Sequence, residues 1–481
     1  MNILEDFPKN ALFYFDSVSR LVLPNLDGFC SEDLDMKHGP GTVAERVFTN
    51  QKWSALRKSL SDKRFLADKY GLSSMTSDGH STVDYSAVEA PSFEDILYEA
   101  DLLNGLVPQL TSSGTAELLT VPKTSTALRT ITREPVLNMF IQQGLNTLLR
   151  DHIAKDAVLK GCLALTDQSK NQKLALIGSL TDEWSTIDLS SASDLLSLSL
   201  VKRAFATKPR FLTCVLESRS SHCDTGLGII ELRKFAGMGN ALTFPVQSMI
   251  YGIILISCIL SCEGLRPSYG NVLRAARRIC VYGDDILIPR KYSRQACDWL
   301  TSFGMRVNTK KSFLDGNFKE SCGVDAYRGY DVTPVYLRYK PIISDRDPDQ
   351  IASLVSTQNQ LWLRGLYASA QCIVDEISKF YHLPLVSKTS SGLGLHSHVD
   401  TNVAHKWDGK LQRLVFRALC VETITRSDNI SDYDALFASL HKLERRKRQF
   451  AIVSDSPDWL AKSVIRFRTR IRRRWKPATA G

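Results

Sequence analysis

Apolar positions recur along the chain with two periods. Between Pro135 and Lys155 they fall at Val136, Met139, Phe140, Leu145, Leu148 and Leu149, the spacing of a helix with one buried face. Asn240 to Leu260 is apolar on nearly every side and predicts a long, largely buried helix. Ser190 to Ala204, Glu94 to Leu106 and a stretch around Ser293 to Phe303 read as further helices. Leu118 to Pro122 reads as a short strand, Thr186-Ile187-Asp188 as a strand end, and Phe313 to Lys340 has β character. In Arg278 to Pro289, apolar and β-branched residues flank Tyr282-Gly283-Asp284-Asp285 on both sides, the pattern of strand, tight turn, strand. Asp68 to Val88, rich in Ser, Gly and Thr, reads as a loop, and from Asp347 the pattern becomes mainly helical. The layout predicts an α+β molecule with a mixed central lobe and a helical C-terminal lobe.

Composition adds a partner class. Lys and Arg outnumber Asp and Glu, 61 to 51 over 481 residues, for a formal charge of +10. An ordinary enzyme can carry that excess, so its distribution matters more. Basic residues concentrate in His441-Lys-Leu-Glu-Arg-Arg-Lys-Arg448 and in Arg466 to Lys476, the second run interleaved with Phe467, Ile471 and Trp475. Such a pattern predicts a phosphate-binding surface or a basic tail, although similar runs also bind membranes or keep a terminus soluble. The 11 cysteines show no paired ligand spacing, and Cys258 and Cys262 fall in an apolar helical run where core positions are expected. That usage fits a reducing compartment. The first residues lack a signal-peptide pattern, and Ser248 to Leu260 is too short and interrupted to span a bilayer. The expectation is a cytosolic protein with no membrane partner.

The candidate chemistry starts at the turn. Asp284 and Asp285 repel each other, and a divalent cation is the obvious compensation. A plain hairpin turn also favours Gly and Asp. Asp188, at a strand end, supplies a third carboxylate, or caps the helix that follows. Asp194 lies six positions on, at the opening of that helix. Two metal ions about 3.5–4 Å apart could bridge Asp188 and Asp284, with Asp285 completing the shell or acting beside it. Mg²⁺ suits such oxygen ligands and Mn²⁺ also fits. Lys123, Arg129 and Arg133 in the loop Val121 to Arg133 could meet a triphosphate, as could Lys310 and Lys311. A solvated basic loop is the plainer reading. Gly237 and Gly239 permit close approach of a ligand to the backbone, and Asn240 and Thr243 lie where they could meet a sugar. An Asp194–Asn240 pair could read a ribose 2′-hydroxyl; Asn240 could equally be a helix cap.

These residues, taken in order, resemble the RNA-directed RNA polymerase, the replicase catalytic or β subunit, of levivirus-like positive-strand RNA bacteriophages. The resemblance runs from about His38 to about Tyr339. It rests on His38-Gly-Pro-Gly41; on Val121-Pro-Lys123 with Arg133-Glu-Pro135 and Asn138-Met139; and on Thr186 to Asp194. It continues through Met238-Gly-Asn240 with Thr243-Phe244, the Tyr282 to Asp285 turn, Asn308 to Phe313, Phe318 to Gly323 and Tyr327-Arg-Gly329. Ala236-Gly237 stands where the group often carries small hydroxyl residues.

The resemblance implies a right-hand polymerase. Its N-terminal region and fingers would occupy 1–115 and 116–180, the second with a basic NTP-entry loop. A palm of antiparallel sheet with flanking helices would occupy 181–340, with an interspersed fingers segment, and a mainly helical thumb with a basic tail 341–481. It also implies Asp188, Asp284 and Asp285 as catalytic metal ligands for two Mg²⁺ ions, and primer-independent replication of a phage RNA genome from ribonucleoside triphosphates. Implied partners are the RNA template and product, host elongation factors Tu and Ts and a ribosomal protein, in the cytoplasm of an infected bacterium. The competing readings are a reverse transcriptase or other palm nucleotidyltransferase, and a non-catalytic RNA-binding protein.

Overall fold

A computed structural model describes residues 10–47, 50–62, 67, 69–72, 114–123, 127–337, 348–386, 388, 390, 392–398, 405–410, 412–428, 432–448 and 463–477. The helix expected over Glu94 to Leu106, and most of the loop expected over Asp68 to Val88, lie outside these residues. The chain divides into two units. The first comprises Met1–Val121, Leu128–Thr333 and Ile430–Ala461; the second comprises Pro122–Ala127, Pro334–Asn429 and Lys462–Gly481.

The first unit is built around the helix Thr243–Cys262, in which every residue from Val246 to Leu260 is buried. It has no polar stripe because it has neighbours all round: the helices Ala11–Leu21, Tyr269–Ala276 and Ser293–Ser302, and a strand edge. Each fully buried Ile or Leu contributes roughly 1.5–3 kcal/mol. Pro245 is tolerated because it sits in the first turn, where an N–H has no helical acceptor. By length and composition the helix could cross a membrane, but 94% of its apolar window is buried inside the protein.

Four strands, β1 (Thr115–Pro122), β2 (Leu128–Arg133), β5 (His222–Asp224) and β6 (Ile229–Glu231), form one sheet in the order β2-β1-β5-β6. The sheet that matters most for the site has the order β3-β8-β7: β3 (Trp184–Ile187), β7 (Cys280–Tyr282) and β8 (Asp285–Pro289), all antiparallel. The pair Val281↔Ile286 faces the core of the central helix, and Cys280↔Leu287 faces a second cluster with Ala175 of the helix Ser169–Thr181. Burial on both faces explains why these strands read as continuous apolar runs rather than alternating ones. Leu287→Ala should cost about 2–5 kcal/mol. Beside this sheet, β4 (Leu189–Ser190) pairs with β9 (Arg306–Val307), and β10 (Phe318–Ser321), β11 (Val324–Tyr327) and β12 (Tyr330–Asp331) form an antiparallel meander.

Two helix expectations change. The helix predicted over Ser190 to Ala204 is two pieces, Ala192–Leu195 and Leu198–Ala204. Ser191 is left-handed at φ 53°, Leu196 is extended and gives its carbonyl to the Phe235 N–H, and Ser197 caps the second piece at Leu200. Serine hydroxyls compete with helical backbone bonds, and tertiary pairing wins here. The central helix also starts at Thr243 rather than Asn240, because Asn240 belongs to the preceding turn.

In the second unit the helices Pro348–Leu363 and Tyr367–Ser378 bury Ile351, Leu354, Val355 and Ile377 together. The short β13 (Leu385–Val386) and β14 (Leu395–His396) run parallel. Then the mainly helical expectation fails. β15 (His405–Asp408), β16 (Arg413–Asp428) and β17 (Ser463–Pro477) form an antiparallel sheet, with β16 and β17 paired along almost their whole length. Val415, Phe416, Val421, Thr423 and Ile424 are β-branched or aromatic and favour a pleated surface. Dense arginine in β17 hid the same preference at Ile471 and Trp475. The helix Asp432–Arg448, which lies between these strands in sequence, belongs to the first unit. There Phe437 packs edge-on to Trp53 at 5.1 Å and Asp434 pairs with Arg57 at 2.8 Å.

Candidate active site

Tyr282 and Asp285 are paired across the hairpin, so Gly283 and Asp284 alone make its turn. Gly283 has φ +62°, a value that suits glycine at the first position of a two-residue hairpin turn. A Cβ there would lie 2.8 Å from the Phe244 ring. The Gly283 N–H donates to Ser248 Oγ at 3.1 Å, so the central helix holds the turn directly. Phe244, one turn earlier, meets the Tyr282 ring edge-on at 5.1 Å and carries the Arg150 guanidinium 5.5 Å from its own centroid.

Strand register decides where Asp188 goes. β3 and β8 pair Ile187 with Ile286, and one further step sets Asp188 opposite Asp285. On its other side, the β4–β9 pairing of Leu189 with Val307 sets Asp188 opposite Asn308. The Asn308 N–H donates to the Asp188 carbonyl at 2.9 Å, and Asn308 Nδ2 donates to Asp188 Oδ2 at 2.7 Å. The Asp188 N–H donates to Ser312 Oγ at 3.1 Å. Asp188 is thus fixed by its bonds to Asn308 and Ser312.

The electrostatics of this end of the sheet are strongly negative. Burial, and then repulsion from Asp284 and Asp188, pushes Asp285 up to about 6 against a hydrogen bond from the Cys322 backbone. Burial also raises Glu320, where Asp325 and Asp188 add to the effect and Lys311, 3.7 Å away, opposes it. Asp284 is exposed and has no ion-pair partner among the described residues. This donor set, all carboxylate and mutually repelling, suits a hard divalent cation. Among the described residues, no group of three or more His, Cys, Asp or Glu side chains is gathered closely enough to hold an ion. Strand pairing brings the backbone positions of Asp188 and Asp285 opposite each other, next to the turn that carries Asp284.

The remaining candidates are spread more widely. Asp194 accepts from Lys234 Nζ at 2.6 Å, and the turn that carries it is tied to the central helix by Tyr251, whose hydroxyl donates to the Ala192 carbonyl at 2.9 Å. Asn240 is buried; its Oδ1 accepts from the Leu242 N–H at 2.8 Å while its Nδ2 is buried without a partner. The Thr243 hydroxyl donates to the Gly237 carbonyl at 3.0 Å. Gly237 and Gly239 admit the chain itself: Thr132 of β2 donates its N–H to the Met238 carbonyl at 2.7 Å, and a Cβ on Gly239 would fall 1.8 Å from the Thr132 carbonyl oxygen. Arg133 is paired with Glu117 at 2.5 Å, whereas Arg129 and Lys310 are exposed. Lys123 is exposed and belongs to the second unit.

Sequence reasoning missed Asn308 and Ser312 as partners of Asp188, Lys234 as partner of Asp194, and Arg219. The buried Arg219 donates from Nε to the Phe235 carbonyl at 2.9 Å and braces the glycine loop. No local spacing signals these pairings, because each is made by strands or turns far apart in sequence. His38 of the His-Gly-Pro-Gly turn is likewise structural. Its ring sits 4.5 Å from Trp53 and 4.9 Å from Phe140, and Lys52 Nζ grips the Gly39 and Gly41 carbonyls at 2.6 and 2.5 Å. All eleven cysteines are free; Cys258 is buried as expected and Cys262 is exposed.

Comparison with known proteins adds a family. Residues 108–360 match the family described as RNA replicase, beta-chain. The RNA-directed RNA polymerase subunit beta of Enterobacteria phage SP is 39% identical over 228 residues, 47% of this chain and 36% of that protein. The RNA-directed RNA polymerase beta chain of Escherichia phage MS2 is 35% identical over 245 residues, 51% of this chain and 40% of that protein. The matched stretches therefore span well under two thirds of these relatives. Among solved structures, the RNA-dependent RNA polymerase of a human picorbirnavirus aligns with 56% of this chain and 56% of its own, at 14% identity and a TM-score of 0.39.

Proposed function

The chain belongs to the RNA replicase β-chain family, and from that premise we propose that it copies RNA templates into RNA from ribonucleoside triphosphates. One observation carries the reading: strand register brings Asp188 opposite Asp285, beside a turn that presents Asp284. Asp188, Asp284 and Asp285 would hold two divalent cations, Mg²⁺ or Mn²⁺, which supply charge neutralisation at the triphosphate and lower the pKa of the attacking 3′-hydroxyl. The chain's own groups do the rest. Asn308 orients the Asp188 carboxylate through its bond to Oδ2. The exposed Arg129 and Lys310 offer cations to triphosphate oxygens. Arg133, already paired with Glu117, serves as a strut. Asn240 Nδ2 is a buried donor without a partner and suits a ribose 2′-hydroxyl, and Asp194, held by Lys234, is the second candidate for that contact. Thr243 shapes the Gly237 turn.

The same premise assigns fingers to 1–115 and 116–180, palm to 181–340, and a thumb to 341–481 that is partly sheet. It further suggests primer-independent initiation on a phage genome in the bacterial cytoplasm, together with elongation factors Tu and Ts and a ribosomal protein.

The test is incorporation of labelled nucleotides with Mg²⁺ and host extract, in parallel arms with RNA or DNA template and with ribo- or deoxyribonucleotides. The reading predicts product from RNA template and ribonucleotides. Deoxy product would move the assignment to a reverse transcriptase. RNA binding with no product in any arm would move it to an RNA-binding protein.

A further inference from the structure

The acids account for chemistry, yet the densest charge in the chain lies elsewhere, on β17. Register pairs Phe416 with Lys476, Ala418 with Arg474, Cys420 with Arg472 and Glu422 with Arg470. Alternate residues of a strand share a face, so Arg470, Arg472, Arg474 and Lys476 stand in one row, roughly 6–7 Å apart. The three arginine side chains are 36%, 51% and 53% exposed. Among the described residues one acid, Glu422, lies among them: Arg470 Nε donates to it at 2.8 Å, Arg474 also bonds to it, and Arg472 stands 3.9 Å away. One carboxylate against three guanidiniums holds the row in a fan and leaves it strongly positive. On the same face, the neighbouring strand presents Trp407, 63% exposed and paired with Leu414.

We propose that this row is a track for the sugar–phosphate backbone of single-stranded RNA. The choice of RNA rests on the polymerase reading; the existence of the track rests on the row itself. A guanidinium fork matches phosphate oxygens, and successive arginines along an extended strand can follow an extended nucleic-acid backbone. Trp407 supplies the flat, sequence-tolerant surface on which a base stacks. Glu422 is the internal competitor, occupying the arginines until phosphate replaces it.

The experiment uses the full-length chain carrying Asp284→Asn, so that binding is measured without turnover, and an unstructured fluorescent RNA across about 50–300 mM salt. Replacing Arg470, Arg472 and Arg474 by Gln should weaken binding at least tenfold at low salt. It should also flatten the log–log salt dependence by about 2, since each lost single-strand phosphate contact accounts for about 0.7. Glu422→Gln should tighten binding. A control with Lys406, Arg417 and Arg473 replaced by Gln removes equal charge from the opposite face and should lose far less; thermal unfolding checks that each variant folds.

Equal losses from both triple variants would overturn the track in favour of net charge alone. So would unchanged binding in the arginine-row variant or a Glu422→Gln variant that binds no tighter. An arm with phosphatidylserine vesicles tests the rival partner: capture of the chain by vesicles in preference to RNA, abolished in the row variant, would overturn RNA as the occupant. If the row binds RNA while the wild type synthesises none, the polymerase reading fails and the track stands.

Discussion

Two charged surfaces of this molecule are built in opposite ways. The acids sit at the ends of short strands buried on both faces, where Gly283 is held by Ser248 and Asp188 by Asn308 and Ser312. The bases stand on a long pair of strands, where the arginines share one carboxylate and are about half exposed. Chemistry at a reacting atom requires groups placed to a fraction of an ångström, and only an over-determined setting supplies that. Capturing a polyanion requires charge at a regular spacing, and a solvated strand supplies it cheaply.

The comparison can be broken most severely at the acids. Asp188→Asn and Asp284→Asn should each reduce nucleotide incorporation by about 10³-fold or more, the scale of losing a preorganised electrostatic group. Activity within tenfold of wild type would contradict the assignment. Gly239→Ala tests how tightly the surrounding loop is determined. Its new Cβ would collide with the Thr132 carbonyl, at a backbone φ of +139°. A loss of about 3 kcal/mol or more in chemical denaturation is expected.

Asn308→Ala sharpens the picture at a residue that touches no substrate. It should lower activity about 10–100-fold and raise the Mg²⁺ concentration needed for half-maximal rate. Asn308→Asp, which keeps the size but adds charge, should be no better. A purely structural role would lower Tm without moving the Mg²⁺ dependence.

The smallest expected effect is a pH dependence at the His38 socket. Burial, with Lys52, His441 and Lys442 adding to it, depresses His38 to about 3. A folded-state pKa below the ordinary histidine value means that the unfolded chain binds the extra proton. This contribution to stability is therefore complete above about pH 6.5 and is lost as pH falls toward 3, at about 1.4 kcal/mol per pH unit. Denaturation at pH 7 and pH 5 should show that loss in the wild type and a smaller one in His38→Gln.

Much of the acidic site was legible in sequence because its signals are local. The Tyr282 to Asp285 turn declares itself by two apolar flanks and a glycine, and the hairpin is present as β7 and β8. The partners of Asp188 were not legible, since Asn308 reaches it only through the β4–β9 pairing, 120 positions away. In the glycine loop, the residue type at Gly237 and Gly239 suggests room for a ligand, and that room is filled by Thr132. In the C-terminal unit, density of charge concealed period. The ribbon's alternation at Ile471 and Trp475 is plain only once β16 is seen opposite it.

The most direct test reads both surfaces in one sample. RNA affinity and the rate of a single ribonucleotide addition on pre-bound RNA are measured for wild type, Asp284→Asn and the Arg470/Arg472/Arg474→Gln variant. The account predicts that Asp284→Asn binds RNA as the wild type does but adds no nucleotide. The arginine variant binds weakly yet, at saturating RNA, adds nucleotide at the wild-type rate. An Asp284→Asn chain that still extends RNA at a rate near wild type would contradict it.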